Sequence, residues 1–194
     1  MDSDHDIPSN TLAIALGANI PSSVGSPYST LIAARPLLEK VICEWIASTL
    51  KESIDIEQIF QNLLWTWSPI YETEAIGGPA NQPNFLNAVL IVDGPKINSL
   101  EPSEQAILNL LKMTLDIEKS FGRERTQNSI KWGPRCIDID LLAWGELHMK
   151  NEILTLPHPR LISRNFVIIP LAAALNKRES SLPIRLPQNK DWKE

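Results

Sequence analysis

Long apolar runs are missing from this sequence. No stretch reaches the roughly 18 to 20 apolar residues that span a bilayer, and the opening MDSDHDIPSN lacks the basic and apolar regions of a secretory signal. We therefore expect a cytoplasmic protein without a membrane partner. Cysteine is also scarce, since Cys43 and Cys136 are far apart and match no zinc-ligand spacing. Reduced thiols are expected for both.

An excess of positive charge is missing too. The formal net charge is -5, which argues against a broad attraction to nucleic acid or to an anionic membrane, because both need a basic face. Any anion site must be local, and we expect no nucleic-acid partner. A GxxxxGK sequence followed by Ser or Thr does not occur, which excludes a P-loop kinase.

The composition is that of one globular domain. Of the 194 residues, 43% are hydrophobic and 21% are charged, which is enough for one full core and too little for a second catalytic domain. Residues 1–10 are polar and lack periodicity, so we predict a flexible N-terminal tail. Residues 11–194 are predicted to form the single domain.

The first half of the chain mixes strand and helix patterns. The apolar run Thr11–Leu16 predicts a buried strand, and the pattern from Tyr28 to about Leu64 predicts two helices, the second starting near Asp55. Pro36 is tolerable only in a first turn or at a kink. Two further strands are predicted at Trp65–Glu74 and Phe85–Val92.

The second half continues in the same way. A helix is predicted with Pro102 in its first turn and Gly122 at its end, where it brings Glu118 and Arg123 together. Residues 135–144 are strongly strand-like, a hairpin turn follows, and residues 154–175 predict a short strand, a proline-fixed turn and a final helix. This order predicts an α+β sandwich, one antiparallel sheet with flanking helices.

Two aspartates interrupt the last long strand. With a period of two, Asp138 and Asp140 face the same side, about 7 Å apart at roughly 3.3 Å per residue, and Ile137, Ile139 and Leu141 face the core. Such a pair can hold Mg²⁺ together with phosphate oxygens and water. The alternative is a solvated strand with two surface aspartates.

Basic residues precede the aspartates within a short stretch. Cations beside carboxylates suit a metal–triphosphate complex, although each arginine taken alone fits an ordinary surface ion pair equally well. The residues are Arg123, Arg125, Lys131 and Arg135.

These motifs resemble a known family. The segment Glu118–Leu142 (EKSFGRERTQNSIKWGPRCIDIDLL) resembles the signature of 6-hydroxymethyl-7,8-dihydropterin pyrophosphokinase. IALGANI, YETEAIGGPANQPNFLNAV and LPHPRLISRNFVIIPL are similar to other blocks of that family and occur in its order. The resemblance implies a ferredoxin-like sandwich that transfers the pyrophosphoryl group of ATP to the pterin hydroxymethyl group in folate biosynthesis.

The resemblance also implies roles for individual residues. Asp138 and Asp140 would bind two Mg²⁺ ions, with ATP as co-substrate, and Arg123 and Arg135 would be the catalytic arginines. The residues around the nucleotide would be Glu118, Arg125, Lys131, Trp132, Leu141, Thr155, His158 and Arg164. The residues of the pterin pocket would be Thr73, Ile76, Phe85, Asn87, Trp132 and Phe166.

The resemblance leaves some features open. The region between Asn19 and Trp65 is longer than in typical members, which predicts an enlarged N-terminal helical region with an insertion at about 40–64. We expect a monomer. Residue types alone leave core packing open for Phe85 and Phe166. The competing functions are another metal-dependent phosphoryl or nucleotidyl transferase and, more remotely, a ferredoxin-like module that binds RNA.

Overall fold

The computed structural model describes residues 9–51, 55–125, 130–161 and 164–179. In chain order the elements are β1 (Leu12–Ala18), α1 (Pro27–Leu50), α2 (Ile56–Gln61), β2 (Leu64–Trp67), β3 (Tyr71–Thr73), β4 (Phe85–Asp93), α3 (Pro95–Asn98), α4 (Glu104–Ser120), β5 (Asp138–Trp144), β6 (Met149–Lys150), β7 (Thr155–Leu156) and α5 (Asn165–Glu179). The fold is therefore of the α+β class.

One antiparallel sheet organises these elements. Its order is β2-β4-β1-β5, and β3 also pairs with β4. β1 lies between β4 and β5, with Leu12 opposite both Val92 and Trp144. β6 and β7 form a separate two-stranded sheet.

Helices cover both faces of the sheet. Leu12, Ile14 and Leu16 share a core with residues of α1 and α4. Ala13, on the opposite face of β1, belongs to a second core that includes Val167 of α5. Because side chains alternate along a strand, an almost continuous apolar run is what a strand buried on both faces requires. The buried strand predicted at residues 11–16 is confirmed.

Side-chain caps define where the helices begin. Ser26 accepts a hydrogen bond from Ser29 N at 3.2 Å at the start of α1, and Asp55 accepts one from Glu57 N at 3.1 Å at the start of α2. The predicted pair of helices is thus confirmed, although Pro36 lies inside α1. The placement of Pro102 in the first turn of α4 is wrong, because Ser103 is the N-cap and its hydroxyl satisfies a free amide of that turn.

The strand predicted at Trp65–Glu74 is wrong as one element. β2 ends at Trp67 and β3 begins at Tyr71. Pro69 lies between them and has no amide hydrogen to donate to β4. Ser68 forms the contact with β4 instead, since its amide donates to Val89 O at 2.8 Å and its hydroxyl accepts from Val89 N at 2.9 Å.

The predicted tail overlaps the folded part of the chain. Residues 1–8 lie outside the described residues, but Asn10 is 9% exposed and its side-chain amide donates to Leu100 O at 2.6 Å. Residues 180–194 of the predicted domain also lie outside the described part. Among the described helices, none is long and apolar enough to cross a membrane.

Candidate active site

The site lies at one edge of the sheet, where β1 ends and β4 and β5 begin. Gly17 pairs with Asn87 on one side and with Asp138 on the other. A Cβ on Gly17 would lie 3.0 Å from Asn87 Oδ1, so the missing side chain leaves room between the two polar residues. Residues distant in sequence thus meet at one edge.

A pocket opens at this edge. Ten of the predicted site residues line it, namely Thr73, Ile76, Phe85, Asn87, Trp132, Arg135, Asp138, Asp140, Arg164 and Phe166. Five lining residues were not predicted, namely Ala15, Leu16, Gly17, Glu74 and Val167. The prediction that Asp138 and Asp140 share one face of β5 is confirmed, because both line the pocket while Ile139 and Leu141 belong to the core.

Asp138 is held between two arginines. Its Oδ1 accepts a hydrogen bond from Arg123 Nη1, and its Oδ2 accepts one from Arg135 Nη1. Burial alone would raise the pKa of this carboxyl, but the two guanidinium groups outweigh burial and lower it. Asp138 is therefore ionised at neutral pH, and a metal ion would share its oxygens with the arginines.

Asp140 has different surroundings. No described residue forms a hydrogen bond or an ion pair with its carboxyl group. Burial, followed by the negative charges of Asp138 and Glu118, raises its pKa to about 7. Two carboxylates on one face of β5, beside a pocket with space for phosphate oxygens, are the kind of ligands that Mg²⁺ prefers.

Glu118 lies behind the pocket and does not line it. It is 2% exposed, and its carboxylate contacts Arg123 and Arg125 at 2.9 and 2.7 Å. Burial raises the pKa of Glu118, and the two arginines oppose that rise. Leu141, also predicted near the nucleotide, is 2% exposed, and its side chain belongs to the core.

Trp132 joins two loops beside the pocket. Gly77 approaches its ring so closely that a Cβ there would lie 2.8 Å from Trp132 Cε3. Gln82 Nε2 donates to Gly77 O at 2.9 Å and to Trp132 O at 3.0 Å. Arg160 lies over the indole at 5.0 Å from its centroid. Residues 126–129 of this basic loop lie outside the described residues.

Two aromatic side chains form the apolar walls of the pocket. Arg135 lies 5.9 Å from the Phe85 ring and Arg164 lies 5.1 Å from the Phe166 ring, both as cation–π contacts. Asn87 Nδ2 donates to Thr73 Oγ1 at 2.8 Å. Aromatic surface, an amide and cations therefore face one space.

His158 follows β7 and is half-buried. The Arg160 amide donates to its Nδ1 at 3.3 Å, which leaves Nε2 to carry the proton of the neutral ring. Burial, then the charges of Arg164 and Arg160, lower its pKa. The imidazole is thus a neutral donor. Neither His158 nor Thr155 lines the pocket; nor does Lys131, whose ammonium lies 4.9 Å from the Trp132 ring centroid.

Sequence reasoning gave no role to Gln82 or Arg160. Both contact Trp132 beside the pocket, and a contact between two loops leaves no periodic pattern in sequence. Gly17 had a signal, since a glycine at the end of a buried strand often marks a close approach.

Comparison with known proteins agrees with this geometry. A protein-family model described as 7,8-dihydro-6-hydroxymethylpterin-pyrophosphokinase (HPPK) matches residues 13–176. The chain is similar to proteins named 2-amino-4-hydroxy-6-hydroxymethyldihydropteridine pyrophosphokinase from Synechocystis sp. and Bacillus subtilis. The Synechocystis alignment has 39% identity and covers 53% of this chain and 45% of the relative. The Bacillus alignment also has 39% identity and covers 54% and 55%.

A longer alignment is found with a protein of the same name from Haemophilus influenzae. It has 31% identity and covers 83% of this chain and 79% of the relative. In the two shorter alignments the chain spans about half the length of the relatives, 45% and 55%. The family match extends over most of the chain, from β1 into α5. The chain therefore belongs to the HPPK family.

Proposed function

We propose that the protein transfers the pyrophosphoryl group of ATP to the hydroxymethyl group of 6-hydroxymethyl-7,8-dihydropterin, giving the pterin diphosphate and AMP in folate biosynthesis. One observation carries the proposal: two aspartates, two arginines and two phenylalanines line a single pocket. They are Asp138, Asp140, Arg135, Arg164, Phe85 and Phe166. Family membership supports the same reaction.

The apolar side of the pocket suits the pterin. A flat bicyclic ring gains stacking energy between Phe85 and Phe166 that aliphatic side chains would not supply. Asn87 carries both a donor and an acceptor for the mixed edge of the ring, and Thr73 orients that amide. Ile76 and Trp132 would close the pocket over the bound ring.

The charged side of the pocket suits the triphosphate. Asp138 and Asp140 would hold Mg²⁺, and we infer two ions. When bound, Mg²⁺ supplies positive charge to the triphosphate oxygens. Arg123 and Arg135 would neutralise charge that develops as the pyrophosphoryl group leaves AMP.

The remaining cations and donors would surround the nucleotide. Arg164 lines the pocket, and Arg125, 54% exposed, lies beside Asp138. Lys131 and Thr155 would bind the outer part of the nucleotide. His158 would donate Nε2–H to a phosphate oxygen.

We also infer a ferredoxin-like sandwich. β2 and β3 both pair with β4 and can be counted as one strand. If the short helices α2 and α3 are left out, the chain from β1 to β5 then has the order β-α-β-β-α-β. The sheet order β2-β4-β1-β5 supports this arrangement. We propose that residues 11–194 form one domain with an enlarged N-terminal helical region around 40–64, and that the protein is a cytoplasmic monomer. The two free buried cysteines are consistent with a reducing compartment.

Product chromatography tests the proposed reaction. Purified protein with ATP, Mg²⁺ and the pterin is expected to form AMP, and mixtures that lack either the pterin or Mg²⁺ are expected to form none. ADP would indicate transfer of a single phosphoryl group, and free pyrophosphate would indicate nucleotidyl transfer. Either product would overturn the proposal.

A further inference from the structure

Arg160 does not line the pocket, but it contacts a residue that does. Its guanidinium carbon lies 5.0 Å from the centroid of the Trp132 ring, within the range of a cation–π contact. Arg160 follows β7, whereas Trp132 lies in the basic loop before β5. The contact therefore joins two loops that the strands β5 to β7 separate in sequence.

Electrostatics favours this position of the guanidinium group. In the part of the chain that the structure describes, no carboxylate forms an ion pair with Arg160. Burial is the first cause that lowers the pKa values of Arg164 and His158, and the positive charge of Arg160 is a further cause for both. Repulsion from Arg164 and attraction to the negative face of the indole therefore act in the same direction.

The backbone and the ring of Trp132 are held by different groups. Gln82 Nε2 donates to the carbonyl oxygen of Trp132 at 3.0 Å, which positions its backbone. A backbone hydrogen bond does not select the side-chain rotamer, and Trp132 is 40% exposed. The orientation of the indole therefore depends on contacts to the ring itself.

Arg160 is the charged contact that can anchor the ring to another loop. Lys131 also lies near the ring, at 4.9 Å from its centroid, but it is the preceding residue and moves with the same loop. Gly77 lies close to the ring but has no side chain, so it offers only van der Waals contact. Removing the Arg160 guanidinium would free the indole on that side.

We propose that Arg160 is a positioning residue, whose guanidinium group holds the Trp132 indole at the pocket and thereby strengthens pterin binding. The inference rests on the proposed function, in which Trp132 closes the pocket over the pterin ring. Arg160 acts through the indole and does not itself contact the pterin.

Equilibrium binding of 6-hydroxymethylpterin tests the proposal, measured by calorimetry with Mg²⁺ and the α,β-methylene analogue of ATP. Arg160→Ala is expected to raise the pterin Kd about two- to fivefold, the usual scale of an exposed cation–π contact. The Kd of the ATP analogue and kcat at saturating pterin should change less than about twofold. Arg160→Lys, which keeps a positive charge, should restore most of the pterin affinity.

A double variant shows whether Arg160 acts through the indole. In the Trp132→Ala background, Arg160→Ala should leave the pterin Kd unchanged, because the ring that it holds is gone. Arg35→Ala is the matched control, since Arg35 lies 5.2 Å from the Trp67 ring and neither residue lines the pocket. It should leave the pterin Kd unchanged. If thermal unfolding shows that Arg160→Ala does not fold, Arg160→Gln gives the same comparison.

The possible outcomes separate the two claims. An unchanged pterin Kd in Arg160→Ala, or an equal loss in both backgrounds, would overturn the positioning role. A weaker Kd for the ATP analogue alone would show that Arg160 contacts phosphate and would also overturn it. A wild-type protein that binds the pterin but forms no AMP would overturn the proposed reaction, and the binding comparison would still decide the role of Arg160. A wild-type protein that does not bind the pterin would overturn both.

Discussion

Asp138 and Asp140 lie two residues apart on β5 but have opposite electrostatic surroundings. Arg123 and Arg135 lower the pKa of Asp138, whereas burial and neighbouring carboxylates raise the pKa of Asp140 to about 7. Neighbouring carboxylates with separated pKa values are typical of functional sites. Asp138 supplies a fixed negative charge, and Asp140 becomes fully charged when a cation is near.

Removing either carboxylate should slow turnover strongly and preserve the fold. Asp138→Ala and Asp140→Ala are each expected to lower kcat about 100-fold or more, the scale of a lost transition-state electrostatic contact. Pterin-dependent AMP formation measures the loss, and circular dichroism checks the fold. Asp116→Asn, which removes an exposed charge from α4, serves as the control. Near wild-type rates in both variants would rule out the metal assignment.

Asp140 should also destabilise the metal-free protein at high pH. Between its unfolded pKa of about 3.9 and its folded pKa of about 7, the folded protein binds more protons, so stability falls as pH rises. In EDTA at pH 8, Asp140→Asn is expected to raise the thermal midpoint by a few degrees. The gain should shrink at pH 5, where Asp140 is mostly protonated in the folded protein.

Thermal scans at both pH values check this, again with Asp116→Asn as the matched control. An equal gain at pH 5 and pH 8, or a lower midpoint at pH 8, would show that Asp140 is not an uncompensated buried acid.

For individual residues, the period of two along a strand was enough to place Asp138 and Asp140 on one face, because successive strand residues alternate regardless of the rest of the fold. The hydrogen-bond partners of Glu118 could not be predicted from sequence. Its end-of-helix position was predictable, but whether a long arginine turns toward a buried carboxylate or a nucleotide depends on the packing of α4 against β5.

Two loops form the edge of the pocket, and Gln82 connects them. Its amide nitrogen donates to carbonyl groups of both loops, at Gly77 and Trp132. Trp132 has a φ of 58°, so its backbone is held in a conformation that few non-glycine residues adopt. Gln82 therefore helps to keep the indole beside Ile76 at the pocket.

Loss of this amide should weaken pterin binding. Gln82→Ala removes hydrogen bonds that together contribute about 0.5–1.5 kcal/mol or more, so the KM for pterin should rise at least about two- to tenfold, with a smaller change in kcat. Steady-state kinetics measure both constants. Gln105→Ala on the surface of α4 is the control. An unchanged KM would show that the loop contact does not support the pterin site.

The elements themselves were largely predictable, and the exceptions have local causes. β1 and β4 matched their apolar runs, and β5 was found but begins only at Asp138. The single strand predicted at Trp65–Glu74 is wrong because Pro69 has no amide hydrogen to donate, which divides the pairing with β4 between two strands. The helix predicted to include Pro102 in its first turn begins after Ser103, because the Ser103 hydroxyl accepts a hydrogen bond from Ala106 N. Only the structure shows this contact.

At the scale of the whole molecule, the larger core and the pocket lie in different places. The larger core lies between the sheet and the helices α1 and α4. Trp45 is fully buried there, donates Nε1–H to Ala106 O at 2.7 Å and packs edge-on against Trp144 at 4.9 Å. The pocket is at the edge of the sheet, lined by residues of β1, β3, β4, β5, α5 and the loops. The order of strands that creates this edge was not readable from local patterns.

Weakening the core should therefore leave chemistry intact. Trp45→Phe removes the hydrogen bond to α4 and part of the buried volume, so the free energy of unfolding should fall by about 1–3 kcal/mol. kcat at a temperature where the variant is folded should match the wild type. Urea unfolding and steady-state kinetics provide the two values. A large loss of kcat without loss of stability would contradict this separation.

We propose that this pocket moves the β- and γ-phosphorus atoms of ATP together onto the pterin hydroxyl group. Phosphorus NMR of the protein with ATP, Mg²⁺ and 6-hydroxymethyl-7,8-dihydropterin follows each phosphorus atom directly. We expect an AMP signal to grow together with two mutually coupled signals of a pterin diphosphate. Growth of ADP, of free pyrophosphate, or of AMP without a pterin diphosphate would contradict pyrophosphoryl transfer to the pterin.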